Sequence, residues 1–79
     1  MRIDKFLKVS RILKRRTVAQ EACDAGKVKV NGKPVKPSYN LKVGDEVTIT
    51  FGEGEMKFKV ALLKETVKKE EAESLYTII

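Results

Sequence analysis

The sequence predicts an α+β fold in which two N-terminal helices pack on a small antiparallel β-sheet, with a short C-terminal helix. Three patterns support this prediction. Apolar residues recur at helical spacing in the first ten residues, lysine alternates with valine around an Asn-Gly pair, and two further alternating runs come later in the chain. A chain of 79 residues with 42% hydrophobic and 35% charged residues is expected to form one globular domain over residues 1–79.

The first helix is predicted by residues at positions i, i+3, i+4 and i+7, namely Ile3, Phe6, Leu7 and Ser10. Asp4 is predicted to be its N-cap, because a carboxylate can accept hydrogen bonds from the unpaired amides of a first helical turn. The helical pattern weakens after Ser10. Ile12 and Leu13 are therefore expected to turn inward in a connection to the next element.

A second helix is predicted over about Val18 to Ala25, with Gly26 as the left-handed residue that ends it. Thr17 and Gln20 match a capping box, which places the start of this helix at Thr17. Its small apolar side consists of Val18, Ala19, Ala22, Cys23 and Ala25. Cys23 is the only cysteine, so no intramolecular disulfide can form, and we expect a buried and inert thiol.

The alternation of lysine and valine in Lys27 to Val30 predicts a half-buried strand. Asn31-Gly32 is the favoured pair for a type I′ turn, in which both central residues have positive φ. The return strand contains Pro34 and is followed by Pro37, and proline restricts such a strand to a sheet edge or a loop.

Two more alternating runs, Val47 to Phe51 and Met56 to Val60, predict an antiparallel pair joined by a turn over residues 52–55. The residues expected to face one common core are Val47, Ile49, Phe51, Met56, Phe58 and Val60. Thr66 is predicted to cap a last helix, about Val67 to Ile79. That helix would either fold back on the sheet or dock a partner or a nucleic acid.

Positive charge is concentrated in residues 1–16, where seven basic residues stand against one acid and give +6, the net charge of the whole chain. Arg15 and Arg16 precede a predicted helix N-terminus, whose amides already favour anions, so a phosphate is expected there. A second basic cluster lies in the strand region. The residues expected to bind RNA are Arg2, Lys5, Lys8, Arg11, Lys14, Arg15, Arg16, Lys27, Lys29, Lys33 and Lys36.

The composition argues against catalysis, metal binding and membrane insertion. The chain has no histidine, and its one cysteine has no companion ligands, so we expect a non-enzymatic protein without cofactor or metal. No apolar run is long enough for a membrane span, and no signal peptide is recognisable, which suits a cytoplasmic protein. A pI near 9.6 favours a polyanionic partner. A basic module for a membrane surface or a protein partner, and a non-specific DNA-binding protein, are the alternatives.

Several blocks of the sequence resemble the S-four RNA-binding domain, a two-helix plus β motif also called the alpha-L motif. The blocks are RIDKFL at residues 2–7, RRTVA at 15–19, GKVKVNG at 26–32, KP at 36–37 and GDEV at 44–47. They occur in the order and spacing of that family and cover about residues 1 to 51. The resemblance implies the same α+β fold and an RNA-binding role.

Over nearly the whole chain the sequence is similar to short stand-alone members of that family, the RqcP-like relatives of heat-shock protein fifteen. The opening MRIDKFLKVSR and the later KKEEA and YTI carry this similarity. It implies a factor of bacterial ribosome-associated quality control that binds obstructed large ribosomal subunits through rRNA and P-site tRNA. We expect the protein to be a monomer. The similarity also implies support of C-terminal alanine tailing by an RqcH-like partner, with Arg2 and Arg16 as the leading RNA contacts. The alternative within the family is a heat-shock type protein that helps to recycle blocked large subunits.

Overall fold

A computed structural model describes residues 1–79 and contains two α-helices, a five-stranded antiparallel sheet and one 3₁₀ helix. In chain order the elements are α1 (Ile3–Val9), α2 (Arg16–Asp24), β1 (Val28–Val30), β2 (Lys33–Pro34), β3 (Glu46–Phe51), β4 (Gly54–Val60), η1 (a 3₁₀ helix, Lys69–Leu75) and β5 (Tyr76–Ile78). The strand order is β2-β1-β3-β4-β5. The predicted α+β fold class is confirmed.

The predicted apolar face of α1 is confirmed, because Ile3, Phe6 and Leu7 are fully buried and Ser10 is nearly so. The N-cap prediction is wrong. Arg2 occupies the N-cap position and makes no side-chain capping bond, whereas Asp4 lies within the first turn of the helix. The Asp4 side chain instead accepts hydrogen bonds from α2.

Helix α2 begins at Arg16, two residues before the predicted Val18, with Arg15 as its N-cap, and no side-chain capping bond is made. The capping-box prediction for Thr17 and Gln20 is therefore wrong. The C-terminal end agrees with the prediction: Gly26 has φ +74°, and its amide donates to Cys23 O at 3.0 Å. The Lys27 amide donates to Ala22 O at 2.9 Å, which completes a Schellman motif.

The buried side of α2 is narrower than predicted. Ala19 and Cys23 are buried and Ala22 is partly buried, but Val18 and Ala25 are exposed. A helix of nine residues packed against α1 and β1 can bury only a narrow stripe, so the flanking apolar positions face outward.

The β1–β2 hairpin is as predicted. Asn31 and Gly32 both have positive φ, 51° and 86°, as a type I′ turn requires. Val28 and Val30 are buried and Lys29 is exposed, and β2 forms one edge of the sheet. The lysines of this hairpin therefore point away from the core.

Strands β3 and β4 pair in the predicted sense, with Val47 opposite Phe58. The expectation that Phe51 is buried is wrong, because its side chain is 45% exposed. Phe51 pairs with Gly54 beside the turn, so the residue opposite it offers no side chain to pack against.

The C-terminal segment departs most from the prediction. Residues 61–68 contain no helix or strand, η1 begins after Lys68 rather than Thr66, and Tyr76–Ile78 form a strand. Strand β5 pairs with β4 and so provides hydrogen-bond partners for the backbone groups at the β4 edge. A helix in the same place would have left those backbone groups unpaired. The buried residues Ala72 and Leu75 fix η1 on the sheet.

Aromatic rings connect the helices to this last strand. Phe6 of α1 lies parallel to Phe58 of β4, with 6.1 Å between ring centroids, and Phe58 meets Tyr76 of β5 edge to face at 5.5 Å. Such pairs stabilise a core beyond the area they bury. Helix α1 is thus fixed against β4, and its polar side is held in a defined position.

We expect Cys23 to be chemically inert in the folded protein. Burial is the main cause that raises the pKa of its thiol to about 11, and the nearby carboxylates Asp4 and Asp24 add to the shift. At pH 8 only about one thiol in a thousand is then ionised, against roughly a quarter for an ordinary cysteine. Iodoacetamide should therefore alkylate the native protein at least about a hundredfold more slowly than the guanidinium-unfolded chain. Similar rates in the two states would show that the thiol is accessible.

Candidate nucleic-acid interface

A buried carboxylate joins the two helices. Asp4 is 0% exposed, and four donors surround its oxygens. Arg2 Nη2 lies 3.1 Å from Oδ2 and Arg16 Nη2 lies 3.3 Å from Oδ1, while Gln20 Nε2 donates to Oδ2 at 3.0 Å. The backbone amide of Lys5 completes the set at 2.7 Å from Oδ1. We call Asp4, Arg2, Arg16 and Gln20 the Asp4 cluster.

The sequence places these side chains within reach of one another. Arg16 and Gln20 lie four residues apart in α2, so both project from the same helical face. Asp4 lies in the first turn of α1, where a negative charge is favoured by the helix dipole. Gln20 therefore serves as a link between helices rather than as part of a capping box.

The Asp4 carboxylate is held in its ionised form. Burial alone would raise the pKa of Asp4, but hydrogen bonds from Gln20, Arg16 and the Lys5 amide outweigh burial, so the pKa lies below its ordinary value. A fixed negative charge at neutral pH keeps both arginine side chains in place. A buried charge supplied with several donors in this way avoids the cost of an unpaired one.

The two arginines remain open to solvent on their outer side. The side chain of Arg2 is 50% exposed and that of Arg16 is 42% exposed. A guanidinium carries five N–H donors, and each arginine spends one nitrogen, Nη2, on Asp4. Arg16 Nε is buried and has no hydrogen-bond partner. Because each half-exposed side chain uses only Nη2 on Asp4, each keeps other guanidinium N–H groups that can donate hydrogen bonds to a phosphate, while Asp4 restricts its movement.

A groove of about 520 Å³ adjoins the Asp4 cluster, and we call it the α1–α2 groove. Its cationic lining comes from α1, the connection between the helices and the start of α2: Lys5, Lys8, Arg11, Lys14 and Arg16. Val9 and Leu13 supply apolar surface, and Glu65, Thr66 and Val67 form the opposite wall. Five of the predicted RNA-binding residues therefore share one concave surface.

The connection between the helices shapes this groove. Arg11 has φ +63°, a left-handed conformation that is uncommon for a residue with a Cβ atom. The amide of Leu13 donates to Leu7 O at 3.0 Å, and the Leu13 side chain is buried, as predicted. The chain therefore reverses tightly after α1 and brings Lys14 back beside it.

The remaining predicted residues lie elsewhere. Arg15 is exposed at the N-cap of α2 and does not line the groove. Lys33 and Lys36 line a separate, shallow depression beside the β1–β2 hairpin, and Lys27 and Lys29 are exposed on or beside β1. The loop after Lys36 hydrogen-bonds to the start of α1, so this hairpin adjoins the Arg2 end of the helix.

Two features of the site could not be anticipated from sequence patterns. The local pattern assigns Gln20 to a cap, although its partner lies sixteen residues earlier. No pattern assigns a role to Glu65, yet it forms an ion pair with Lys5 across sixty residues. Neither contact has a local sequence signal, because both depend on how distant segments meet in the fold.

The surface combines half-exposed arginines of fixed geometry with a cationic groove, an arrangement suited to polyphosphate backbones. Arginine binds phosphate through paired N–H donors, and lysine adds less directional attraction. No aromatic side chain lines the α1–α2 groove, so the arrangement fits a folded, double-helical RNA surface better than stacking on single-stranded bases. No helix of the structure combines the length and the apolar character needed to cross a bilayer.

Comparison with known proteins gives a consistent result. The sequence model of the S4 domain family matches residues 1–47. This is the family that the sequence blocks described above resemble. The chain is 52% identical over 79 residues to the RQC P-site tRNA stabilizing factor of Bacillus subtilis, covering 100% of this chain and 92% of that protein. It is 54% identical to the protein of the same name from Streptococcus pneumoniae, covering 100% of this chain and 90% of the relative.

Among solved structures, the trimeric structure of Vibrio cholerae Heat Shock Protein 15 superposes with a TM-score of 0.92 at 30% identity. The alignment covers 100% of this chain and 81% of that one. The similarity therefore extends over all described elements, including the C-terminal segment that sequence patterns predicted least well.

Proposed function

Because the chain belongs to the S4 domain family, we propose that it is a non-catalytic RNA-binding factor of bacterial ribosome-associated quality control. The observation that carries this proposal is the Asp4 cluster, in which one buried carboxylate holds two half-exposed arginines. Full-length similarity to proteins named as P-site tRNA stabilizing factors supports the biological setting.

In this proposal the protein binds obstructed large ribosomal subunits, contacts rRNA and stabilises peptidyl-tRNA in the P site. The Asp4 cluster and the α1–α2 groove form the principal contact, and Arg15 extends it at the N-terminus of α2. The hairpin lysines Lys27, Lys29, Lys33 and Lys36 form a secondary contact with more distant phosphates. Such binding would support C-terminal alanine tailing of stalled nascent chains by an RqcH-like partner, with this protein acting as a monomer in the cytoplasm.

A second candidate is the heat-shock type function, in which the protein helps to recycle large subunits blocked by a nascent chain. The structural similarity to Heat Shock Protein 15 over the whole chain favours it. The two functions share the same RNA surface and differ in the step after binding. Alanine tails on stalled nascent chains in a reconstituted reaction would distinguish them, because only the first proposal requires the protein for tail synthesis.

We expect binding to large ribosomal subunits that carry a P-site tRNA to depend strongly on salt. If about six phosphates are neutralised, affinity should fall roughly a thousandfold between 50 and 200 mM monovalent salt, because bound counterions are released on association. Co-sedimentation through sucrose at the two salt concentrations measures this dependence. Retention that does not change with salt, or a preference for duplex DNA over rRNA in competition, would contradict the proposed function.

A further inference from the structure

One carboxylate lies in the otherwise cationic α1–α2 groove. Glu65 forms an ion pair with Lys5, and the hydrogen bond and charge of Lys5 are the main causes that lower the pKa of Glu65. The charge of Arg16, which also lines the groove, acts in the same direction. The position occupied by Glu65 therefore attracts an anion, and in the free protein the chain itself supplies that anion.

The segment that carries Glu65 is held by side chains rather than by the backbone. Residues 63–67 take part in no backbone hydrogen bond. Leu63 and Val67 pack partly against the core on either side, whereas the Glu65 side chain is 68% exposed. Glu65 can thus leave Lys5 without breaking any backbone hydrogen bond or uncovering a fully buried side chain.

We propose that the α1–α2 groove is a binding site for backbone phosphates of structured RNA, and that Glu65 occupies it in the free protein as a competing carboxylate that RNA displaces. This inference rests on the RNA-binding function proposed for the chain. It assigns to the groove a ligand class, the phosphodiester, and assigns to Glu65 a role in selecting among phosphate-containing ligands.

The selection follows from competition between a tethered anion and a free one. Glu65 is part of the same chain, so its effective concentration at Lys5 is high, of millimolar order or above. When an isolated phosphate displaces Glu65, Lys5 only exchanges one anion for another, so the phosphate gains little binding free energy. An RNA whose phosphates meet the Asp4 cluster and the groove together gains several contacts for one displaced carboxylate. Glu65 should therefore disfavour small anions and short single strands relative to folded RNA.

The test compares Glu65→Gln with Glu53→Gln, using a structured rRNA hairpin as the probe. Both substitutions remove one negative charge from an exposed glutamate, but Glu53 lies in the β3–β4 turn and forms no ion pair. Glu65→Gln should tighten binding roughly two- to fivefold more than Glu53→Gln does. Its plot of log affinity against log salt should also become steeper, because salt weakens the Lys5–Glu65 ion pair and so removes part of the competition in the wild-type protein.

A Lys5→Gln background provides the second comparison. The gain from Glu65→Gln should shrink there, because the cation that Glu65 occupies has been removed. If the wild-type protein binds the hairpin but Glu65→Gln and Glu53→Gln have equal effects, or if Glu65→Gln weakens binding, the inference is overturned and the proposed function stands. If the wild-type protein does not bind structured rRNA at all, both are overturned.

Discussion

Replacing both Arg2 and Arg16 with alanine is expected to lower the affinity for structured rRNA roughly a hundred- to a thousandfold. Each side chain is half exposed and retains donors for phosphate after binding Asp4. At these half-exposed sites a charge-assisted contact contributes about 1.5–2 kcal/mol, the lower end of its usual range, so two such contacts correspond to a loss of that order. Equilibrium binding to an rRNA fragment, checked by co-sedimentation with large subunits, measures the effect.

The matched control removes the same charge from another surface. Lys57 and Lys59 are exposed on β4 and do not line the α1–α2 groove. Their double alanine variant should lose only about threefold in affinity, because it weakens long-range attraction alone. The double Arg→Lys variant at positions 2 and 16 keeps the charge but not the planar donor geometry, and should lose about tenfold. Equal losses in the arginine-to-alanine variant and the β4 variant would show that net charge, not this site, governs binding.

Asp4→Asn should weaken RNA binding about tenfold even though it makes the protein more positive. The buried carboxylate restricts both arginines, and an asparagine cannot accept the same set of hydrogen bonds on two equivalent oxygens. Long-range electrostatics predicts the opposite sign, since a negative charge is removed. Asp24→Asn, which removes an exposed charge from α2, should show that opposite sign as a slight gain. Tighter binding by Asp4→Asn would show that the arginines do not need this anchor.

The same substitution should lower the free energy of unfolding by about 1–3 kcal/mol at pH 7, because a buried hydrogen-bonded group loses its charge-assisted partners. The pKa of Asp4 is lower in the folded protein than its ordinary value. Its contribution to stability is therefore present above the unfolded pKa of about 4 and is lost as the pH falls through the folded pKa. The difference in unfolding free energy between wild type and Asp4→Asn should thus narrow below about pH 4. Urea titrations at several pH values measure this, and the RNA measurements should be made where both proteins are fully folded.

Local sequence patterns correctly predicted those features of the fold that a few neighbouring residues determine. The face of α1, the Asn31-Gly32 turn and the Gly26 helix end each follow from a few adjacent residues, and all three are confirmed. The basic residues of the candidate site could also be identified, because the density of charge along the chain can be read from the sequence alone.

The wrong predictions for Gln20 and for the C-terminal segment share one physical cause, which is that tertiary contacts override local preference. Gln20 fits a capping box, but a buried carboxylate offers a stronger partner across the helix interface. Tyr76 to Ile78 fall within the predicted helix from Val67 to Ile79, but they form a strand, because pairing with β4 provides hydrogen bonds for their backbone. The roles of Asp4 and Glu65 were likewise invisible, because each depends on segments that meet only in the folded chain.

The central claim is that the Asp4 cluster and the α1–α2 groove face RNA. A cryo-electron microscopy map of the protein bound to a large subunit carrying P-site tRNA tests it most directly. We expect phosphates within hydrogen-bond distance of both Arg2 and Arg16, with Asp4 still between the two side chains. A map in which α1 and the start of α2 face solvent, while the sheet or the C-terminal segment contacts RNA, would contradict the claim.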